Sequence, residues 1–137
     1  MKKITFIGLG VMGFPMAGHL SKQGYGVSVY NRSKEKSKLW TEKYDGKYFT
    51  SVKEAVTNSD IVFSCVGNDT DLRDITLGED KAFSAMKRDS VFVDHTTTSS
   101  DIASELHKKA KEYEIHFLDA PVSGGEVGAV KGELTVM

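Results

Sequence analysis

Short apolar runs alternate with amphipathic stretches along the chain, and the two kinds of segment predict different elements. Six short runs predict β-strands, at residues 3–8, 27–30, 48–49, 61–66, 90–94 and 115–119. Amphipathic patterns predict helices between them, at residues 11–23, 33–44, 51–57, 69–77 and 100–113. Strands that alternate with helices run parallel, joined by right-handed crossovers. The pattern therefore predicts an α/β fold with a doubly wound, mostly parallel sheet.

The first predicted helix carries small side chains on one face. We expect this face to press closely on the sheet and Gly24 to stop the helix. The face comprises Gly13, Ala17, Leu20 and Gly24. At the other end of the chain, residues 134–137 look like the start of another strand. That strand would leave a sheet edge unfinished, so we expect the chain to be the N-terminal portion of something larger.

Composition narrows the class of protein. The 137 residues suit one domain over the whole chain, and 18 Lys and Arg against 19 Asp and Glu give a net charge of −1. A near-neutral chain lacks the basic footprint of a protein that binds nucleic acid or a membrane surface. Cys65 is the one cysteine, and the four histidines have no metal-ligand spacing among themselves or with it. Neither a disulfide framework nor a zinc site is expected.

The uncharged stretch at residues 4–21 imitates a secretory signal or a marginal membrane span. It contains four glycines and Pro15. Each interior glycine costs a helix about 1 kcal/mol relative to alanine, and proline costs about 3 kcal/mol. We therefore expect a cytoplasmic protein without a membrane segment.

Residues 8–13 read G-L-G-V-M-G, which is the G-x-G-x-x-G pattern, and they connect an apolar strand to a helix. This is the context of a dinucleotide-binding turn. Gly8 permits the tight turn, Gly10 lets a diphosphate approach the backbone, and Gly13 lets the helix lie close to the strand. The helix N-terminus offers N–H groups to the phosphates. A glycine turn without a ligand is the alternative. The predicted cofactor-binding residues here are Gly8, Leu9, Gly10, Val11, Met12 and Gly13.

The second strand ends in Asn31, Arg32 and Ser33, without the Asp or Glu that usually binds the 2′-hydroxyl of NAD. Arg32 can pair with a 2′-phosphate, and Asn31 and Ser33 can add hydrogen bonds to it. A carboxylate would repel that phosphate, so its absence also favours NADP(H), with NAD(H) as the second choice. A solvated loop charge is the alternative role for Arg32.

Ligands of such folds lie at the carboxyl ends of the strands, which adds three segments to the predicted site. Small residues after the fourth strand can let the cofactor pass, and a hydroxyl after the fifth can reach the nicotinamide ribose. These residues are Cys65, Val66, Gly67 and Thr96. After the sixth strand, Ser123, Gly124 and Gly125 offer a hydroxyl and open N–H groups that can hold an anion such as a substrate carboxylate. A flexible glycine loop is the alternative.

Three segments together resemble the β-hydroxyacid dehydrogenase family, typified by 3-hydroxyisobutyrate dehydrogenases. They are G-L-G-V-M-G-F-P-M-A at residues 8–17, V-D-H-T-T-T-S at residues 93–99, and D-A-P-V-S-G-G-E-V-G-A-V-K-G-E-L-T at residues 119–135. The first is shared with other dinucleotide-binding folds, whereas the third is far more specific. The resemblance runs along essentially the whole chain.

The resemblance implies a Rossmann-type domain that precedes an all-helical C-terminal domain. It implies hydride transfer between NAD or NADP and a small 3-hydroxy acid, semialdehyde or 2-oxo acid. In this family the segment matching Ser123, Gly124 and Gly125 holds the substrate carboxylate, and the segment matching Thr96 lies at the cofactor. Asn31-Arg32 resembles the members that use NADP, including glyoxylate and succinic semialdehyde reductases. A homo-oligomer is expected for the full-length protein.

No catalytic residue is expected in this chain, because the family's catalytic lysine lies beyond Met137, in the helix that joins the two domains. Reduction of a carbonyl needs a proton donor, and Lys131 does not match that position. His95 and Cys65 are expected to be structural. The rival interpretations are a non-catalytic dinucleotide-sensing module, an imine-reductase-like enzyme, and a methyltransferase that uses S-adenosylmethionine. Arg32 argues against the last, which usually has an acid there.

Overall fold

A computed structural model describes residues 2–136 of the chain. The strands are β1 Lys3–Ile7, β2 Gly26–Tyr30, β3 Lys47–Tyr48, β4 Ile61–Ser64, β5 Val91–Asp94, β6 His116–Asp119, β7 Val122–Ser123 and β8 Thr135–Val136. The helices are α1 Gly13–Lys22, α2 Lys34–Lys43, α3 Val52–Val56, α4 Asp69–Thr76, α5 Ala82–Ala85, α6 Ser100–Glu112 and α7 Gly125–Lys131. Over this part of the chain, every helix is too short or too polar to cross a membrane.

Six strands form one parallel sheet in the order β3-β2-β1-β4-β5-β6, so the predicted doubly wound α/β fold is confirmed. Ile7 lies opposite Tyr30 on one side and Ser64 on the other, and Ser64 lies opposite Asp94. The carboxyl ends of these strands therefore finish in one row. Chain order reverses between β1 and β4, and ligands of open α/β sheets bind in the crevice at such a point.

Helices cover both faces of the sheet and bury two apolar clusters. Helices α1 and α2 form one cluster, where Phe6, Val29 and Trp40 are buried. The other cluster lies under α3, α4, α5 and α6 and includes Phe92 and Leu106. A parallel sheet covered on both faces needs apolar side chains on both faces. That need explains why the strands appear in the sequence as short continuous apolar runs.

Three helices begin with a side-chain cap. Ser51, Asn68 and Ser99 each accept a hydrogen bond from the N–H three residues further on, at 3.2, 2.9 and 3.2 Å. Such caps satisfy N–H groups that have no partner within the helix. Among the described residues no side chain caps α1 in this way, and Ser33 occupies the N-cap position of α2 without forming the bond.

The structure departs from the prediction in the buried face of α1, in the pairing of the C-terminal strand and in three additional elements. Gly24 does stop α1, since it follows the C-cap Gln23 with a φ of +92°, but it is exposed, so that only Gly13 and Ala17 are buried on the predicted face. A strand does form at Thr135–Val136, but it pairs antiparallel with β7 in a separate two-stranded sheet and does not extend the main one. Met137, the last residue of the predicted strand, lies outside the described residues. Elements α5, β7 and α7 were not predicted.

Candidate functional site

The turn between β1 and α1 needs two of its glycines for packing alone. Gly8 has a φ of +98°, and a Cβ there would stand 2.2 Å from the carbonyl oxygen of Cys65. A Cβ on Gly13 would stand 1.9 Å from the carbonyl oxygen of Gly8. Both distances are far below van der Waals contact, and in both cases the obstacle is backbone. These two glycines are therefore required whether or not a ligand binds.

Gly10 differs from its neighbours in the turn. A Cβ built on it would meet no atom of the described chain within 4 Å. The fold itself therefore does not demand glycine here, and a side chain would project into open space at the cleft. A diphosphate that must approach the backbone gives this glycine a physical reason.

The beginning of α1 leaves four backbone donors without a protein partner. In the hydrogen bonding of residues 2–136, the N–H groups of Gly10, Val11, Met12 and Gly13 are not used. The first turn of α1 also contains no acidic side chain. Unpaired N–H groups and the positive end of the helix dipole attract an anion. The donor set therefore fits a diphosphate.

A cleft of about 810 Å³ extends from this turn, a volume that suits a cofactor. Most of the predicted cofactor residues line it, namely Gly8, Gly10, Val11, Met12, Gly13, Asn31, Arg32, Ser33, Cys65, Val66 and Gly67. The other two, Leu9 and Thr96, are not part of the lining. The side chain of Leu9 is fully buried in the apolar cluster beneath α1.

Asn31 already uses its amide within the protein. Its Oδ1 accepts a hydrogen bond from the N–H of Leu9 at 2.8 Å, and its Nδ2 donates to the carbonyl oxygen of Ser33 at 3.2 Å. The first bond ties the end of β2 to the glycine turn. The Nδ2 group carries two N–H donors, so a bond from Asn31 to a 2′-phosphate, which the sequence predicts, would use the second of them.

Arg32 forms an ion pair with Asp71, which is not among the site residues predicted from the sequence. Its Nη2 lies 2.8 Å from Oδ1 of Asp71, near the start of α4. The Arg32 side chain is 80% exposed and that of Asp71 is 23% exposed. The other carboxylate oxygen of Asp71 lies over Gly67, 2.6 Å from where a Cβ would stand. A carboxylate from α4 therefore lies beside the end of β2.

A buried hydrogen-bond network joins the ends of β4 and β5. Oδ1 of Asp94 accepts from Ser64 Oγ at 2.8 Å, from Thr96 Oγ1 at 2.7 Å and from the Thr96 N–H at 3.1 Å. Thr96 Oγ1 in turn accepts from the N–H of Val66 at 3.0 Å. Burial raises the pKa of Asp94 above its ordinary value, although these hydrogen bonds oppose the shift. Because Thr96 is buried and its hydroxyl is engaged, its contact with a nicotinamide ribose stays a prediction.

Cys65 and His95 have structural surroundings. Burial, followed by the nearby charge of Asp94, raises the pKa of the Cys65 thiol to about 11, so the thiol is protonated at neutral pH and is a poor nucleophile. His95 is 8% exposed, its ring stacks on Phe63 and its Nδ1 lies 2.7 Å from the carbonyl oxygen of Ala120. In residues 2–136, no three His, Cys, Asp or Glu side chains converge as a metal site would require.

The predicted substrate residues lie apart from the cleft lining. Ser123 ends β7, and Gly124 and Gly125 open α7 with φ values of +125° and +61°. All three are exposed. His19 holds the far end of α7, because its Nε2 lies 2.9 Å from the carbonyl oxygen of Ala129. The segment is thus part of a small ordered unit, while its contact with a carboxylate stays a prediction.

Comparison with known proteins identifies the family. The family described as the NAD binding domain of 6-phosphogluconate dehydrogenase matches residues 3–137. The chain belongs to this family of dinucleotide-binding domains. An uncharacterized oxidoreductase of Shewanella frigidimarina is 55% identical over 137 residues, which are 100% of this chain and 47% of that protein. A probable 3-hydroxyisobutyrate dehydrogenase-like protein of Arabidopsis thaliana is 40% identical over 134 residues, 98% of this chain and 44% of that protein.

Solved structures agree with these relatives. The 3-hydroxyisobutyrate dehydrogenase of Mycobacterium tuberculosis, solved with L-serine, has a TM-score of 0.89 at 31% identity over 100% of this chain and 46% of its own. An imine reductase of Myxococcus stipitatus in complex with NADP+ has a TM-score of 0.81 at 29% identity, over 92% of this chain and 43% of its own. The resemblance to 3-hydroxyisobutyrate dehydrogenases is confirmed. The chain spans about half the length of the proteins it matches.

Sequence reasoning missed three charged residues of the cleft, Asp71, Asp74 and Lys81. A signal for Asp71 was available. Helix α4 begins shortly after β4, which neighbours β1 in a sheet of this type, so its first turn must lie close to the glycine turn. Lys81 follows a run of irregular residues, and its place in the cleft could not be read from the pattern.

Proposed function

We propose that this chain binds NADP(H) and is the cofactor domain of an oxidoreductase. The observation that carries the proposal is the set of four unpaired N–H groups at residues 10–13 beside the open position at Gly10. In the proposed complex these donors hold the diphosphate. Val66 and Gly67, which also line the cleft, leave room for the cofactor to continue over the carboxyl ends of β1 and β4.

The adenosine end of the cofactor is proposed to lie at Asn31, Arg32 and Ser33. The guanidinium of Arg32 is the cation available there for a 2′-phosphate, and β2 itself ends without an acid. These features support NADP(H), with NAD(H) as the second choice. The presence of NADP+ in the Myxococcus stipitatus imine reductase agrees with this preference.

The reaction proposed for the whole protein is hydride transfer between NADP(H) and a small 3-hydroxy acid, a semialdehyde or a 2-oxo acid. The bound nicotinamide supplies the hydride. This chain contributes positioning, with Ser123, Gly124 and Gly125 proposed to hold the substrate carboxylate. The proton donor is proposed to lie in a longer protein, in a part that corresponds to the portion of the relatives that this chain does not match. A homo-oligomer and a cytoplasmic location stay predictions.

An imine-reductase-like activity is the second candidate. It is favoured by the 29% identity and TM-score of 0.81 to the Myxococcus stipitatus enzyme. Assays of a longer protein that contains this chain separate the two candidates. Oxidation of NADPH with glyoxylate or succinic semialdehyde supports the first, and oxidation with a cyclic imine but neither carbonyl compound supports the second.

Titration calorimetry tests the binding step directly. NADPH, NADH and S-adenosylmethionine are titrated into the chain under one set of conditions. We expect NADPH to bind more tightly than NADH, and S-adenosylmethionine not to bind. A chain that binds neither nicotinamide nucleotide would disprove the proposed function, and a preference for S-adenosylmethionine would place the chain in the methyltransferase class.

A further inference from the structure

The cation proposed to read the 2′-phosphate is already engaged by a carboxylate. Arg32 Nη2 lies 2.8 Å from Asp71 Oδ1, and both residues line the cleft. Asp71 is the less exposed partner, at 23%, and its second oxygen lies over Gly67 on the cleft side. The N–H of Asp71 is fixed by the Asn68 cap at 2.9 Å, which keeps the start of α4 in place. The start of α4 therefore keeps Asp71 at the cleft, whereas its partner Arg32 is mostly exposed to solvent.

We propose that Asp71 weakens the preference for NADP(H) over NAD(H) by competing with the 2′-phosphate for Arg32. This inference rests on the proposed function, since it concerns the same cleft. A 2′-phosphate that approaches Arg32 must displace the Asp71 carboxylate from the guanidinium and then lie near that negative charge. Both effects lower the affinity for NADPH, and neither applies to NADH, whose 2′-hydroxyl is uncharged. That hydroxyl can instead donate a hydrogen bond to Asp71.

The pair thus works against the preference that Arg32 alone would give. Arg32 attracts the phosphate, and Asp71 reduces the difference between the two cofactors. An exposed ion pair is worth little by itself, so the competition changes affinity by a modest factor and does not prevent NADPH from binding. The structure assigns to Asp71 the carboxylate role that other dinucleotide sites place at the end of β2.

The test measures NADPH and NADH affinity by titration calorimetry for the wild-type chain and for Asp71→Asn. The substitution keeps the shape of the side chain and leaves the backbone bond to Asn68 in place. We expect NADPH to bind about three- to tenfold more tightly, because the guanidinium is free and the repulsion is gone. NADH should bind equally or somewhat more weakly.

Three further variants separate this effect from a general change of charge. Asp74→Asn removes a negative charge from the same helix and the same cleft, but not from the Arg32 pair. Arg32→Ala, made alone and together with Asp71→Asn, removes the cation for which the acid competes. We expect the gain in NADPH affinity to be much smaller in Asp74→Asn than in Asp71→Asn. Adding Asp71→Asn to Arg32→Ala should give less gain than adding it to the wild type.

The outcomes are distinct. An unchanged ratio of NADPH to NADH affinity in Asp71→Asn, with both cofactors still bound, overturns the role of Asp71 and leaves the proposed function standing. An equal gain in Asp74→Asn overturns it as well, since the effect would then be general. A wild-type chain that binds neither cofactor overturns the proposed function, and this inference with it. Thermal melts of each variant verify that the proteins compared are folded.

Discussion

Two glycine-rich segments of this molecule differ in what holds them. In the first, at residues 8–13, a side chain on Gly8 or Gly13 would collide with backbone at 2.2 or 1.9 Å. In the second, at residues 123–125, the nearest atom to a Cβ on Gly124 would be the end of the Leu134 side chain at 3.1 Å, with backbone no closer than 3.6 Å, and a Cβ on Gly125 would meet nothing within 4 Å. In the first segment, glycine is required because neighbouring backbone leaves no room for a side chain. In the second, glycine is favoured mainly because the backbone adopts a positive φ.

A glycine whose Cβ would collide with backbone is required by the fold, whereas a glycine in open space needs another reason, such as a ligand. Gly8 and Gly13 are explained without a ligand, so they are weak evidence for function. Gly10 has no such explanation, and it lies beside unpaired N–H groups. Gly10, the least constrained glycine of the turn, is therefore the one that points to a ligand.

The largest expected effect comes from Gly13→Ala. Its Cβ would meet the carbonyl oxygen of Gly8, which cannot move without opening the turn, so we expect a loss of about 3 kcal/mol or more in the free energy of unfolding. Urea denaturation measures the loss. Gly128→Ala is the matched control, because it is also a helical glycine, but the nearest atom to its Cβ would be the end of the Leu134 side chain at 3.3 Å and backbone would lie no closer than 3.9 Å. Equal stability of Gly13→Ala and the wild type would contradict the claim that the fold imposes this turn.

Gly10→Ala should affect binding without affecting stability. Open space surrounds the added methyl group, so the unfolding free energy should stay within about 0.5 kcal/mol of the wild type. The methyl group lies where the diphosphate must approach, so we expect NADPH affinity to fall about tenfold or more, which corresponds to about 1.4 kcal/mol. Calorimetric titration and a urea melt on the same sample measure both quantities. Retained affinity would show that the diphosphate does not approach Gly10.

Gly125→Ala should cost less than Gly13→Ala, because its obstacle is backbone conformation and not a collision. With φ at +61°, an alanine costs about 1 kcal/mol of stability. Gly24→Ala is a matched control, since Gly24 also has a positive φ and open surroundings. The loss is measured by urea denaturation. A cost for Gly125→Ala as large as that for Gly13→Ala would mean that the second segment is as tightly imposed as the first.

The smallest expected effect lies at the opposite edge of the sheet, away from both glycine segments. Asp60 accepts hydrogen bonds from Lys87 Nζ at 2.7 Å and from the N–H of Lys3 at 2.9 Å, and these lower its pKa to about 2. A lowered pKa in the folded state means that the contribution of Asp60 is present above about pH 4 and is lost as the pH falls toward 2.

Asp60→Asn should therefore flatten the dependence of stability on pH between about 4 and 2. NADPH affinity at neutral pH should stay the same, because the residue lies at the amino ends of the strands. Urea melts across this pH range, with Asp45→Asn as a control acid, measure the slope. An unchanged slope in Asp60→Asn would show that this carboxylate is not stabilised in the folded protein.

Much of the fold could be predicted from the sequence, because a parallel sheet buried on both faces produces apolar runs that periodicity detects. All six strands of the main sheet were predicted at their places along the chain, with shifted ends. Helix α5 has four residues and β7 has two, which is too short for a periodic signal. Helix α7 contains Gly125 and Gly128, and because glycine is a poor helix former, intrinsic helix propensity did not predict this helix.

The candidate site was predictable where it depends on one turn and less so where it depends on contacts across the chain. The roles of the turn glycines follow from their spacing alone, which is that of Gly8, Gly10 and Gly13. Asp71 lies 39 positions from Arg32, and their ion pair exists only because β4 returns beside β1. Whether Asn31 would use its amide for a ligand or for the turn also depended on the position of Leu9, which the sequence does not state.

The donors at residues 10–13 belong to the main chain, and this has an evolutionary consequence. Only a substitution to proline removes a peptide N–H. A mutation can therefore block the diphosphate half of the pocket, but it can hardly change what that half binds. The half that meets the adenosine is built from side chains, which single codon changes can replace. Descendants of such a domain could therefore exchange one nicotinamide dinucleotide for the other repeatedly while the seat for the shared diphosphate stayed the same.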